Sequence, residues 1–242
     1  KLYDICFNCF WVNDPTKHEF VPNDVQRIQT QKSLDARLKC VYNYKEDSKK
    51  NLLDLIDSAG IARTEVFAGD YLDEPQITII SPTRDFYESL LPKFRNKLNF
   101  HWALEALEEN SYSSKDDISD ETTLSKTLDD ATDDTSAHNQ SSIVFLLETD
   151  EKQKFLFTGD AGRDAFNHVP QTLLGKVKDV TWMKVPHHGS KHNLDSTIIK
   201  HVNPEIAYIS TEKQGKYLNR STVFALKKNG TKVYSTSQNR ST

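Results

Sequence analysis

A chain of 242 residues, 36% hydrophobic and 27% charged, is long enough to bury one sizeable α/β core or two modest ones. No apolar run approaches the roughly 18 residues that a membrane-spanning helix needs. A formal net charge of −4, from 31 basic and 35 acidic residues, excludes a general field that would draw in nucleic acid, so such a substrate would need a local basic path.

The opening Lys1-Leu2-Tyr3-Asp4-Ile5 carries neither an initial methionine nor a signal-peptide pattern, which leads to the expectation of further sequence upstream. Cys6, Cys9 and Cys40 are too few for a disulfide framework and suit a reducing cytoplasm. Cys6 and Cys9 lie in an apolar stretch that reads as a strand over Asp4–Val12. Their odd spacing there sends the two side chains to opposite faces, against a shared zinc or redox pair. Helices are expected after Asn23, through Val25, Ile28, Leu34 and Leu38, and after Ser48, where Leu52, Leu55, Ile56 and Ala59 share a face and Gly60 ends the helix. Strands follow at Glu65–Ala68 and Gln76–Ser81, then a helical pair within Arg84–Glu109.

From Ser111 to Ala137 the composition shifts to acidic, Ser and Thr residues, which reads as a solvated linker or insertion, with a lid over a site as the alternative. Regular alternation then returns. Strands are expected at Ser142–Glu148, Lys154–Thr158, Val180–Val185, Ile206–Ser210 and Lys232–Thr236, with helices near Gly162–Leu174, Leu194–His201 and Val223–Lys228. This alternation predicts an α/β layered domain.

Two segments close such strands: Phe157-Thr158-Gly159-Asp160-Ala161-Gly162 and Val185-Pro186-His187-His188-Gly189-Ser190. Strand ends that open into glycine-containing turns are where α/β enzymes place reactive side chains. A carboxylate and an imidazole brought together there suit zinc or manganese. Each segment alone is a weak signal, and an ordinary structural turn is the favoured reading of it.

The succession strand, Gly-Asp-Ala, helix, strand, Val-Pro-His-His-Gly-Ser, helix, strand resembles the C-terminal half of the metallo-β-lactamase superfamily. It is most similar to the branch that includes the hydrolase domain of the bacterial competence DNA-uptake channel, with Asn139 and Ser142 leading the Ile143–Leu147 strand ahead of Asp160 and of His187 to Ser190. The resemblance covers most of Gly69 to Thr236. It implies an αβ/βα sandwich whose N-terminal part is missing from this chain: residues 1–110 would be the middle of the domain, 111–137 a flexible acidic insertion, and 138–242 the C-terminal half.

By the same resemblance the chain would be a metal-dependent hydrolase, a phosphodiesterase or nuclease using a metal-bound hydroxide, in the cytoplasm that its cysteine usage leads one to expect. Two divalent ions, zinc or manganese, would be held in part by Asp160 as bridging carboxylate and His187 as a ligand of the second ion. His188 and His192 would be catalytic, and Ser190, Lys191 and Asn193 would contact a nucleic acid or nucleotide. Lys184, Lys191, Lys213, Lys216 and Arg220 cluster in sequence around the His187 turn and the following strand end and would supply the local basic path, with dispersed surface charges as the alternative. The chain departs from the family in two places: nothing in it has the His-x-His-x-Asp-His spacing, and Tyr217-Leu218-Asn219-Arg220 stands where relatives tend to carry a Tyr-Gly-His-Pro-like sequence. The first departure keeps open a non-catalytic module, or a protein completed by a partner segment or chain supplying the N-terminal half; a small ester or amide hydrolase is a further alternative. His138 sits where many superfamily members supply a ligand, while His18, His101, His168 and His201 read as structural or surface residues.

Overall fold

The computed structural model describes residues 9–11, 56–73, 75–93, 121–211 and 217–236. Cys6, Cys40, His18, His101, Lys213, Lys216, the expected helix after Asn23 and most of the one after Ser48 lie outside them. The chain divides into two units, Lys1–Val66 with Arg84–Ala106, and Phe67–Thr83 with Leu107–Thr242.

In the first unit, β1 (Cys9–Trp11) pairs in parallel with β2 (Ala62–Thr64), Cys9 opposite Ala62. Residues 56–58 are helical, and Gly60 ends that turn at φ 66°, as a glycine stop should. Arg63 reaches back to Asp57 at 3.0 Å. Helix α1 (Arg84–Leu90) buries Phe86, Tyr87 and Leu90, a helical spacing with Asp85 in the first turn.

The second unit is built on a seven-stranded mixed sheet in the order β3 (Tyr71–Leu72), β4 (Gln76–Ser81), β5 (Val144–Glu148), β6 (Lys154–Phe157), β7 (Trp182–Lys184), β8 (Ile206–Ile209) and β9 (Lys232–Ser235). The pairings from β3 to β6 are antiparallel and those from β6 to β9 parallel. Parallel neighbours require crossovers. These are supplied by α4 (Arg163–Asn167) with α5 (Gln171–Leu174), by α6 (Ser196–Val202), and by α7 (Arg220–Lys228), while α2 (Glu121–Asp129) and α3 (Ala137–Gln140) precede β5. The mixed α/β expectation is met.

Strand alternation sorts the side chains. Leu146, Leu156, Met183, Ala207 and Ile209 are fully buried on one face. The other face carries an aromatic row in which Phe145 stacks on Phe157 at 4.7 Å, Phe157 meets Trp182 at 5.2 Å, and Trp182 stacks on Tyr208 at 6.2 Å.

Two local readings change. The single helix expected over Gly162–Leu174 is two, because Pro170 cannot donate a helical N–H and a proline disfavours the α region for the residue before it. More consequentially, the described part of the acidic segment is not the solvated linker expected there. Helix α2 buries Leu128 completely and packs against α6 and α7. The buried Arg163 side chain ties its C-terminal end down, donating to the carbonyls of Leu128 (2.7 Å), Ala131 (3.0 Å), Lys191 (3.0 Å) and Leu194 (3.1 Å) and pairing with Asp133 at 2.9 Å. A fork of five donors can serve that many acceptors; a lysine could not. One apolar residue and one long-range arginine thus order a stretch whose composition is that of a loop.

Leu128→Ala is expected to cost about 2–5 kcal/mol of stability, the range for emptying a fully buried leucine site. Urea unfolding of the two proteins measures it; a loss below about 0.5 kcal/mol, the size of a surface substitution, would mean that α2 does not pack in solution.

Candidate functional site

Strands β6 and β7 end side by side, and their ends are cross-tied. Thr158 Oγ1 donates to the Lys184 carbonyl at 2.7 Å, and Lys184 Nζ donates to the Gly159 carbonyl. Gly159 has φ 54°, and a Cβ on it would lie 2.9 Å from Ser142 Cβ, so both backbone and space demand glycine. The turn then places Asp160, whose N–H donates to Ser142 Oγ at 3.2 Å. Its carboxylate is 40% exposed and lies 3.6 Å from Lys184 Nζ. Burial lowers the Lys184 pKa, against the opposing pull of Asp160.

After β7 the chain enters a left-handed turn in which His187, His188 and Gly189 have φ 43°, 54° and 88°. For the two histidines this conformation costs on the order of 1–3 kcal/mol each and persists only where the surroundings fix it. Here the His187 N–H donates to the Gly159 carbonyl (3.3 Å), the Ser190 N–H to the His187 carbonyl (3.0 Å), and the Asn219 N–H to the Gly189 carbonyl (3.1 Å). Such strain, observed at a strand end, is a reason to look for function there. The His187 and His188 rings lie 4.5 Å and 5.6 Å from the Tyr217 ring, and His188 Nδ1 donates to the Ser210 carbonyl.

A buried carboxylate completes the cluster. Asp134 Oδ2 accepts from Asn139 Nδ2 (2.8 Å), Asn193 Nδ2 (3.0 Å) and His187 Nδ1 (3.2 Å), while Oδ1 accepts from the Ser136 N–H (2.9 Å). Burial alone would raise the Asp134 pKa, but the hydrogen bonds from His187, Asn139, Ser136 and Asn193 outweigh it and the net shift is downward. Burial likewise pushes His187 down, and the hydrogen bond and charge of Asp134, with the charge of Asp160, turn the net shift upward. Both shifts describe one pair in its ionic form.

The sequence-expected residues separate in role. Asp160, His187 and Asn193 converge, with the His187 side chain 17% and Asp134 10% exposed. Asn193 is fully buried, its Nδ2 also facing the carbonyls of Asp160 (3.1 Å) and Ala161 (3.3 Å), so it holds the site together and does not meet solvent; its Oδ1 has no partner among the described residues. Ser190 is buried and accepts from the His192 N–H at 3.2 Å. His192 Nδ1 donates to the Thr132 carbonyl at 2.6 Å; burial, aided by Lys191, lowers its pKa. Lys191 is half-buried and offers its carbonyl to Arg163. Asn219 caps α7 by accepting from the Ser221 N–H at 2.9 Å. His201 and His168 face carbonyls within the fold, as structural histidines would.

Asp134 escaped the sequence reading because it sits in an acidic run with Asp129, Asp130 and Asp133. Its local signal was the Asp-x-Ser spacing of an Asx turn just before an N-capping Ser136. As metal donors, Asp160 and His187 have suitable chemistry but fill only part of a coordination sphere, and among the described residues no group of three His, Cys, Asp or Glu side chains converges as a metal site.

Two outcomes are expected of this geometry. A Cβ at Gly162 would overlap Gln140 Nε2, and Gln140 in turn links the Ala165 N–H to the Asp134 carbonyl. Gly162→Ala should therefore destabilise by about 1–3 kcal/mol, read from the urea midpoint, and a neutral result would show that Gln140 moves freely. The second concerns pH in the metal-free protein. A depressed Asp134 stabilises above its ordinary value of 3.8 and that gain is lost as pH falls; a raised His187 stabilises below its ordinary 6.5 and that gain is lost as pH climbs through the folded value. The stability advantage over Asp134→Asn should accordingly peak at about pH 4–6.5 and shrink on the alkaline side. An advantage that keeps growing toward about pH 9 would contradict the ion pair.

A scan against protein-family models finds no match to this chain, and a search of curated proteins finds none either, so its chemistry is read from the geometry of the site.

Proposed function

We propose that this chain carries part of the metal site of a metallo-β-lactamase-like hydrolase that acts on phosphodiester bonds. The observation that carries the reading is the convergence of Asp160 and His187 at the ends of neighbouring parallel strands, with the His187 N–H on the Gly159 carbonyl. The order of the two motifs, similar to that superfamily, supports it. The αβ/βα sandwich belongs to the proposal too, as the finer form of the mixed α/β architecture.

Asp160 and His187 would hold zinc or manganese together with ligands from outside the described residues. A divalent ion there supplies Lewis-acid polarisation of a phosphoryl oxygen and activation of water. The chain's own groups do the rest. Lys184 orients the Asp160 carboxylate. Burial lowers the His192 pKa and so favours its neutral form, and charge neutralisation falls to lysine side chains such as Lys191.

A second reading, a non-catalytic module or one completed by a partner segment, is favoured by the lack of a third converging donor among the described residues. Metal content separates the two. The hydrolase reading expects zinc or manganese uptake near about pH 7–8, where imidazole ligands are neutral, and Asp160→Ala should lose at least one ion with its circular dichroism unchanged. Undiminished hydrolysis of a small chromogenic phosphodiester by Asp160→Ala under metal-limited conditions would sink it, and a wild-type chain that takes up neither ion supports the module.

A further inference from the structure

We propose that Asp134 is the positioning residue of this site, fixing the neutral His187 ring with its hydrogen on Nδ1 so that Nε2 is the nitrogen left to act. The inference deepens the metal-site reading and rests on it for the use to which Nε2 is put.

The acceptor decides the tautomer. Nδ1 of His187 faces Asp134 Oδ2 at 3.2 Å, and a carboxylate can only accept, so the ring must donate from that nitrogen. A neutral imidazole has one N–H; with it committed to Nδ1, the lone pair is on Nε2. The opposite tautomer would set the Nδ1 lone pair against a carboxylate oxygen in a half-buried, poorly screened place.

A positioning group must itself be immobile, and Asp134 is held at every polar atom. Its N–H donates to the His192 carbonyl at 3.1 Å, its carbonyl accepts from Gln140 Nε2, and its two carboxylate oxygens take four N–H donors in all, from Ser136, Asn139, Asn193 and His187. The Arg163 side chain pins the flanking Ala131 carbonyl and Asp133 carboxylate. Asn193 carries the order further: one amide nitrogen bridges Asp134 Oδ2 and the Asp160 carbonyl, which ties the carboxylate orienting His187 to the backbone of the second candidate ligand. Turning that amide over would point its oxygen at acceptors only, so the bridge has one sense. The segment with a loop's composition therefore contributes the group that decides which nitrogen of His187 is available, the arrangement in which a second carboxylate orients an imidazole ligand.

Nitrogen-15 NMR of the ring, in the metal-free chain at a pH alkaline enough for His187 to be neutral, reads the tautomer directly. The Nδ1–H form is expected in the wild type, a shift toward Nε2–H in Asp134→Leu, which has no acceptor, and retention of Nδ1–H in Asp134→Asn, whose amide oxygen still accepts. Zinc titration of the same proteins, counting only binding lost in His187→Ala, should show affinity about 10–100-fold weaker in Asp134→Leu and an intermediate value in Asp134→Asn. A wild-type ring carrying its hydrogen on Nε2 overturns the proposal with no variant needed, as does a folded Asp134→Leu that leaves both tautomer and affinity unchanged. If Asp134→Leu does not fold, the wild-type and Asp134→Asn spectra decide. Should the wild type bind no zinc at His187, the hydrolase reading fails, and the spectra still settle what Asp134 does.

Discussion

Thr158 Oγ1 donating to the Lys184 carbonyl joins the ends of β6 and β7, just where regular parallel pairing stops. The bond is part-buried and Thr158 itself is fully buried, so removing its partner would leave a costly unmet hydroxyl. The residues beyond it depend on that tie. The Gly159 carbonyl becomes a shared acceptor for Lys184 Nζ and the His187 N–H, and Asp160 and His187 emerge from one hydrogen-bonded frame. That frame joins the Ser190, Asn219, Ser210 and Asp134 contacts in holding the left-handed His187-His188 pair in its conformation.

The parts of this arrangement that could be read from the sequence are those specified locally. Strands β5 to β9 announce themselves as short apolar runs, and they alternate with helices whose capping residues, Asp195 and Asn219, lie beside them. Gly159 and Gly162 could be seen as turn residues, although the reason for Gly162 is the Gln140 side chain, distant in sequence. The Leu194-led helix starts a little later than its apolar pattern because Asp195 takes the cap.

Other parts were not legible because only folding assembles them. Helix α2 has one fully buried leucine, and its other anchor is Arg163. No short window of sequence contains both. Asp134 looks like its acidic neighbours until Asn139, Asn193 and His187 surround it. Asn193 reads as a polar loop residue suited to a substrate, yet it is buried and its amide holds backbone and carboxylate together. Buried polar groups of this kind must be well partnered to be tolerated, so their positions are decided by the whole network and not by local propensity.

The topology of the second unit also divides the entropy of assembly unevenly. From β5 to β9 each strand pairs with the next one in the chain, so each addition closes a loop no longer than a hairpin or a single crossover. The β4–β5 pairing is different: it brings Ser81 against Val144 across the stretch that includes Arg84–Ala106 of the other unit. Loop-closure cost grows with the length enclosed, and contacts distant in sequence slow folding. The His187 turn and the strands that carry it thus belong to the part of the sheet that is cheapest to nucleate, while β3 and β4 join at the seam where chain entropy resists most.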